Sequence, residues 1–175
     1  MRLIKFIIIS IIGLFVVVTL MASLLSSEVK TSRAVVVHSS YSQIYMQVAD
    51  LRNWKNWHPS LKADSIIISY SNPSFGKNAW CNIEYKNQQT HLQIISEDST
   101  SIHFLSQLNR INDIDNEISI TPVKEEQSFQ VEWKAITKLH WYPWEKFYGI
   151  FIDRLTGPGY EEALNDLKDY VESEK

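Results

Sequence analysis

The chain has 175 residues, 45% of them apolar, and a net charge of −3. That length accommodates one well-buried domain and leaves too little chain for two. Setting aside Arg2 and Lys5 leaves 15 basic against 20 acidic residues, an acidic balance that argues against nucleic acid as a partner. Cys81 is the sole cysteine, so no internal disulfide forms and no cysteine near the N-terminus is offered for lipidation.

Phe6 to Leu25 is a run of 20 residues without a charge. As a helix rising roughly 1.5 Å per residue it spans about 30 Å, the thickness of a bilayer's hydrocarbon core. Its β-branched residues weaken a helix in water, but in lipid an unpaired backbone costs more, and the helix forms. Arg2 and Lys5 on the N-terminal flank place that end in the cytoplasm and the rest of the chain on the extracytoplasmic side. The competing reading is a cleaved signal peptide. Its apolar region is normally ~7–15 residues and ends in a small-x-small site, which Met21-Ala22-Ser23 followed by two leucines matches poorly. The expected organisation is a transmembrane anchor over residues 1–27 and a folded domain over residues 28–175.

After a polar linker from Ser26 to Ser32, the β-branched segment Ser32–Val37 predicts a first strand. His38-Ser39-Ser40 supplies capping oxygens for a helix from about Tyr41 to Leu51, with Ile44, Tyr45, Val48 and Leu51 at helical spacing. The middle of the chain then alternates with a period of two. Strands are predicted over Ser65–Tyr70, Asn78–Lys86, Thr90–Ser96, Ser101–Leu108, Ile114–Thr121 and Phe129–Ile136, with Asn87-Gln88-Gln89 as one hairpin connection. Such a series makes an antiparallel sheet with one dry face.

The end of the chain changes period. Pro143 suits a helix's first turn. Phe147, Ile150, Phe151, Arg154 and Leu155 share one side of the turns that follow. Gly157-Pro158-Gly159 interrupts, and Tyr160, Ala163, Leu164, Leu167 and Val171 recur at the spacing of a helix lying on a sheet. The whole is an α+β layer.

Two segments carry a resemblance to a known family: Asp50-Leu51-Arg52-Asn53-Trp54-Lys55-Asn56-Trp57-His58-Pro59, and Gly149 to Lys168. They resemble the two ends of a START-like (SRPBCC) domain of the polyketide cyclase/dehydrase-like branch. Lys55 stands where that family usually has proline, and Gly159-Tyr160 stands where it has Asp-Phe. The resemblance covers roughly Thr31 to Glu172. It implies a helix-grip fold: a curved antiparallel sheet around a long C-terminal helix, with an apolar cavity between them. It also implies a lipid or another apolar or amphipathic small molecule as the partner, and it brings in no cofactor and no catalytic set.

The ligand-binding candidates are Trp54, Trp57, Phe104, Trp133, Phe147, Phe151 and Leu155. Trp54 and Trp57 form either the rim of a pocket mouth or a wedge that packs a helix on the sheet. Phe104 and Trp133 lie on dry strand faces, where a pocket wall and a filled core need the same residues. A bend at Gly157-Pro158-Gly159 would stand Phe151 and Leu155 over one end of the cavity, facing Trp57. Arg154 on the same side would either fix an anionic head group or pair with Asp50 or Asp153. Glu84 is a buried carboxylate if Trp80 points inward, and a surface charge if the more apolar set Cys81, Ile83 and Tyr85 does. The five histidines show no metal-ligand spacing, and no GxSxG or phosphate loop exists. Beside ligand binding stand two alternatives: a cyclase- or hydrolase-type enzyme, and an interaction module with a filled core. An apolar cavity above roughly 300 Å³ favours binding. A perturbed carboxylate or histidine in it favours catalysis, and a missing cavity favours the module.

Overall fold

The computed structural model describes residues 2–62, 65–108, 112–124 and 127–174. Helix α1 (Arg2–Ser23) begins at the basic flank and carries most of the uncharged run, and Thr19 Oγ1 donates back to the Phe15 carbonyl at 2.8 Å, relieving its own polarity within the helix. Strand β1 (Glu28–His38) begins four residues earlier than the alternation suggests. Glu28, Lys30 and Ser32 point out while Val29, Thr31 and Arg33 point in, so this polar stretch reads as linker although its backbone pairs along the full length of β7.

Helix α2 (Tyr41–Ala49) starts at the Ser40 cap, whose hydroxyl accepts from the Gln43 N–H, and buries Ile44, Val48 and Ala49. A short helix α3 (Trp54–Trp57) and a 3-10 turn (Pro59–Leu61) follow. Strands β2 (Ile67–Tyr70), β3 (Trp80–Tyr85), β4 (Gln88–Glu97), β5 (Ser101–Leu108), β6 (Asn112–Pro122) and β7 (Ser128–Lys138) form an antiparallel meander. β1 pairs with β7, so the seven-stranded order is β1-β7-β6-β5-β4-β3-β2. The β3–β4 hairpin turns on Lys86-Asn87 alone, one residue ahead of the expected connection, because Tyr85 pairs directly with Gln88. Lys86 takes the positive φ (53°) that the tight turn needs. β4 carries a bulge at Ile95, where the partner of Ile94 is Phe104 and that of Ser96 is His103.

Helix α4 (Pro143–Ser173) runs unbroken for 31 residues through Gly157-Pro158-Gly159. The expected interruption is absent, for one reason within the helix and one beside it. Pro158 removes the N–H that would meet the Arg154 carbonyl, and both residues are exposed, so the loss falls on the solvent side of the helix, where it costs least. Gly157 is buried against β1, and a Cβ there would collide with the Arg33 guanidinium. Arg33 crosses this bare spot to pair with Asp153 at 3.1 Å. The first half of α4 therefore covers the edge strand β1. The second half lays Ala163, Leu164, Leu167 and Val171 on the sheet's concave face. This is the α+β helix-grip architecture, with α1 preceding it.

Candidate functional site

The concave face alternates as the strands dictate. Cys81 is fully buried, and burial pushes its thiol up to about 12. Glu84 is exposed on the outer face, and Trp80 lies outside beside His91, so the more apolar set faces in. The mixed strand β6 places Asn116 among Ile114, Ile118 and Ile120 on the inner face, as a period of two requires.

Trp54 and Trp57 act first as a wedge. Each indole N–H donates to a carbonyl near the end of α2: Trp54 Nε1 to Val48 at 2.8 Å and Trp57 Nε1 to Gln47 at 3.0 Å. These bonds satisfy backbone groups that the end of a helix leaves open. The two rings pack with centroids 5.2 Å apart. Trp54 also meets Phe104 edge-on at 5.1 Å and Trp133 at 5.8 Å.

Between this aromatic cluster and α4 lies a cavity of about 200 Å³. Its apolar wall includes Trp54, Phe104, Trp133, Leu92 and Ile83, with the Tyr160 ring from α4 tilted against Trp133, centroids 5.0 Å apart. Burial raises the Tyr160 hydroxyl's pKa. Its polar groups are His58, Ser60, Thr90, Ser106 and Asn116. Asn116 is held on both sides: its Oδ1 accepts from Trp133 Nε1 at 3.0 Å, and its Nδ2 donates to Ser106 Oγ at 3.0 Å and to the Ile114 carbonyl at 2.9 Å.

His58 stacks flat on Trp54, with centroids 5.8 Å apart and planes 2° apart, and meets Trp133 edge-on. Burial among these rings lowers its pKa to about 4; Asp166 opposes the shift and Lys62 adds to it. The imidazole is therefore neutral at pH 7. Ser60 N–H donates to its Nδ1 at 3.3 Å, which assigns the ring proton to Nε2. Among the described residues no three His, Cys, Asp or Glu side chains converge as metal ligands would.

Of the seven ligand-binding candidates, Trp54, Phe104 and Trp133 line the cavity together. Trp57 sits behind Trp54, fully buried, and is core rather than rim. Phe147, Phe151 and Leu155 are not in the lining. Phe151 and Leu155 are more than half exposed on the side of α4 turned away from the sheet, because the unbroken helix keeps them there. Arg154 is likewise exposed, and the carboxylate beside it, Asp153, pairs with Arg33. The sequence reading passes over His58, Asn116 and Tyr160 as site residues. Asn116 had a usable signal, a polar residue in step with the isoleucines of its strand.

No family model matches this sequence, and no curated protein matches it in sequence. Solved structures do match in fold. A START superfamily protein from Mycobacterium smegmatis aligns over 84% of this chain and 99% of its own, at 16% identity and a TM-score of 0.63. A protein from Thermobifida fusca aligns over 82% and 93%, at 15% identity and a TM-score of 0.66. DynU16, from the dynemicin biosynthetic locus, aligns over 83% of this chain and 48% of its own, at 11% identity and a TM-score of 0.60. The fold is thus the START-like helix-grip fold, with an additional N-terminal helix long and apolar enough to cross a membrane.

Proposed function

We propose that residues 28–175 bind a small apolar or amphipathic molecule in the cavity between sheet and α4, and that residues 1–27 anchor this domain to a membrane. The observation that carries the binding reading is the composition of the cavity: an aromatic wall facing a few fixed polar groups. Its volume of about 200 Å³ falls short of the roughly 300 Å³ that would enclose a whole drug-sized molecule, and this limits the size of the occupant. An apolar cavity of about 150 Å³ holds benzene, so this one suits a substituted ring or the end of a larger lipid-like molecule. His58 Nε2–H would donate to a hydroxyl or carbonyl on that molecule. A pKa of about 4 makes the imidazole a weak base at neutral pH, which favours holding a ligand over proton abstraction.

The test uses the full chain in detergent micelles. Titration with substituted phenols, followed through tryptophan fluorescence, should saturate. Leu92→Phe narrows the cavity and should weaken that binding while the thermal melt stays cooperative. Saturation unchanged in the variant, or no saturable response in either protein, overturns the reading.

The anchor reading rests on the length and composition of α1. Arg2 and Lys5 would hold its start in the cytoplasm, with the domain on the other side. The chain should resist extraction by alkaline carbonate, and protease added to the extracytoplasmic face should digest the domain. Release by carbonate, or protection of the domain, overturns the respective half of this reading.

A further inference from the structure

The first half of α4 carries an apolar stripe that the fold does not use. Trp144, Tyr148, Phe151 and Leu155 recur at spacings of four, three and four, which puts them on one line of the helix. Each is more than half exposed, as is Trp141 just before the helix. Further along the same line come Pro158, Glu162, Asn165 and Asp169, all exposed. One face of one helix thus changes from large apolar to polar and acidic side chains along its length. Solvent on both halves gives no reason for such a change, whereas two different surroundings do.

The position of α1 says what the first surroundings are. α1 packs on α4 near its own end, where Ala22 is buried and Val18 and Thr19 are half-buried. The buried Nζ of Lys146, in the first turns of α4, donates to the Leu25 carbonyl at 3.3 Å and to Ser27 Oγ. From there α4 runs alongside β1: Gly149 faces Val29, and Asp153 meets Arg33. The start of α4 is therefore tied to the point where α1 ends. A membrane-spanning α1 reaches the headgroup layer at that point. Trp and Tyr rings concentrate there, because their apolar bodies and polar tips suit the boundary. Glu162 lies 18 residues beyond Trp144, roughly 27 Å along the helix, where acidic side chains suit water.

We infer that the first half of α4 is a membrane-contact surface, with Trp141, Trp144, Tyr148, Phe151 and Leu155 seated in the headgroup and upper acyl region of a phospholipid bilayer. The domain would then be docked against the membrane by two elements, α1 through it and α4 along it. This inference rests on the anchor reading of α1.

The test uses the full chain in phosphatidylcholine vesicles. Single cysteines at Tyr148→Cys, Phe151→Cys, Glu162→Cys and, as the anchor control, Phe15→Cys are labelled with an environment-sensitive fluorophore. The buried Cys81 stays unlabelled, and circular dichroism checks each fold. Labels at 148 and 151 should emit to the blue of that at 162. Lipid spin-labelled near the headgroup should quench them several-fold more strongly. Equal access of aqueous iodide to 148, 151 and 162, with the label at 15 quenched by deep spin-labelled lipid, overturns the contact surface and leaves the anchor standing. Protection of 148 and 151 from both iodide and lipid means that protein covers the stripe, a second copy or another chain, and also overturns it. A label at 15 that deep lipid does not quench removes the anchor, and the contact surface falls with it.

Discussion

Trp133 on β7 donates its indole N–H to Asn116 Oδ1 on β6 at 3.0 Å, and both side chains are almost wholly buried. The bond joins the largest ring of the concave face to its most buried amide. Asn116 in turn reaches Ser106 on β5, so three adjacent strands are linked by polar contacts under the cavity. Satisfied pairs of this kind contribute modestly when made, and cost more when one partner is removed.

Asn116→Leu should therefore destabilise the domain by about 1–3 kcal/mol, since it strands the Trp133 N–H in an apolar setting. Trp133→Phe in that background removes the stranded donor, and its added cost should be smaller than in the native background. Urea titrations of the four proteins of this cycle measure the difference. Strictly additive costs would mean that the bond has no energetic role.

Leu167 is fully buried between α4 and the sheet, whereas Asp169 on the same helix is exposed. Leu167→Ala should cost about 2–5 kcal/mol through lost burial and the cavity left behind. Asp169→Ala should stay within roughly 0.5 kcal/mol. Chemical denaturation separates them, and equal small effects would contradict the packing of α4.

His58 gives the domain an acid-side instability. Its folded pKa, about 4, lies below the ordinary 6.5, so the unfolded chain takes up this proton first as pH falls. Stability from this group is fully present above pH 6.5, declines between 6.5 and about 4, and falls no further below that. The full loss is on the order of 3 kcal/mol. Asp98, whose pKa is lowered to about 2 by bonds from Thr100 and Ser101, acts in a separate and more acidic window. His58→Gln should flatten the urea midpoint between pH 7 and 5 relative to the native protein. An unchanged slope would show that the imidazole is not held neutral.

Lys146 is buried, and its bonds to the Leu25 carbonyl and Ser27 Oγ tie α4 to the segment between α1 and β1. Lys146→Met keeps the apolar stem and removes these donors. The segment at Ser26-Ser27 should then be cut faster by limited proteolysis, while the domain's melt changes little. Cleavage at the native rate would mean that Lys146 does not hold the joint.

Much of this architecture can be read from the residues because it rests on local periodicity. The strand Ser101–Leu108 falls where the alternation of Ile102, Phe104, Ser106 and Leu108 puts it, since a pleated backbone has a period of two. The inward turn of Cys81 and outward turn of Glu84 follow from the same rule. The uncharged run of α1 and the stripe from Tyr160 to Val171 are similarly plain, because burial of one helix face, or of all faces in lipid, leaves its mark in adjacent turns. The polar half of β1 is not plain, because its strand state comes from pairing with β7 over a hundred residues away.

The site was decided by tertiary structure. Whether Gly157-Pro158-Gly159 breaks α4 depends on what lies beside it, and here Arg33 of β1 occupies the space that a side chain at Gly157 would take. That one outcome turns Phe151 and Leu155 away from the cavity. His58 reads as one scattered histidine until the fold stacks it on Trp54 and sets it edge-on to Trp133, and its low pKa exists only in that enclosure. Cavity volume, burial of a titratable ring and the meeting of distant strands depend on contacts between remote residues. A period of two or of 3.6 records which way a side chain points, and carries no record of what it will meet there.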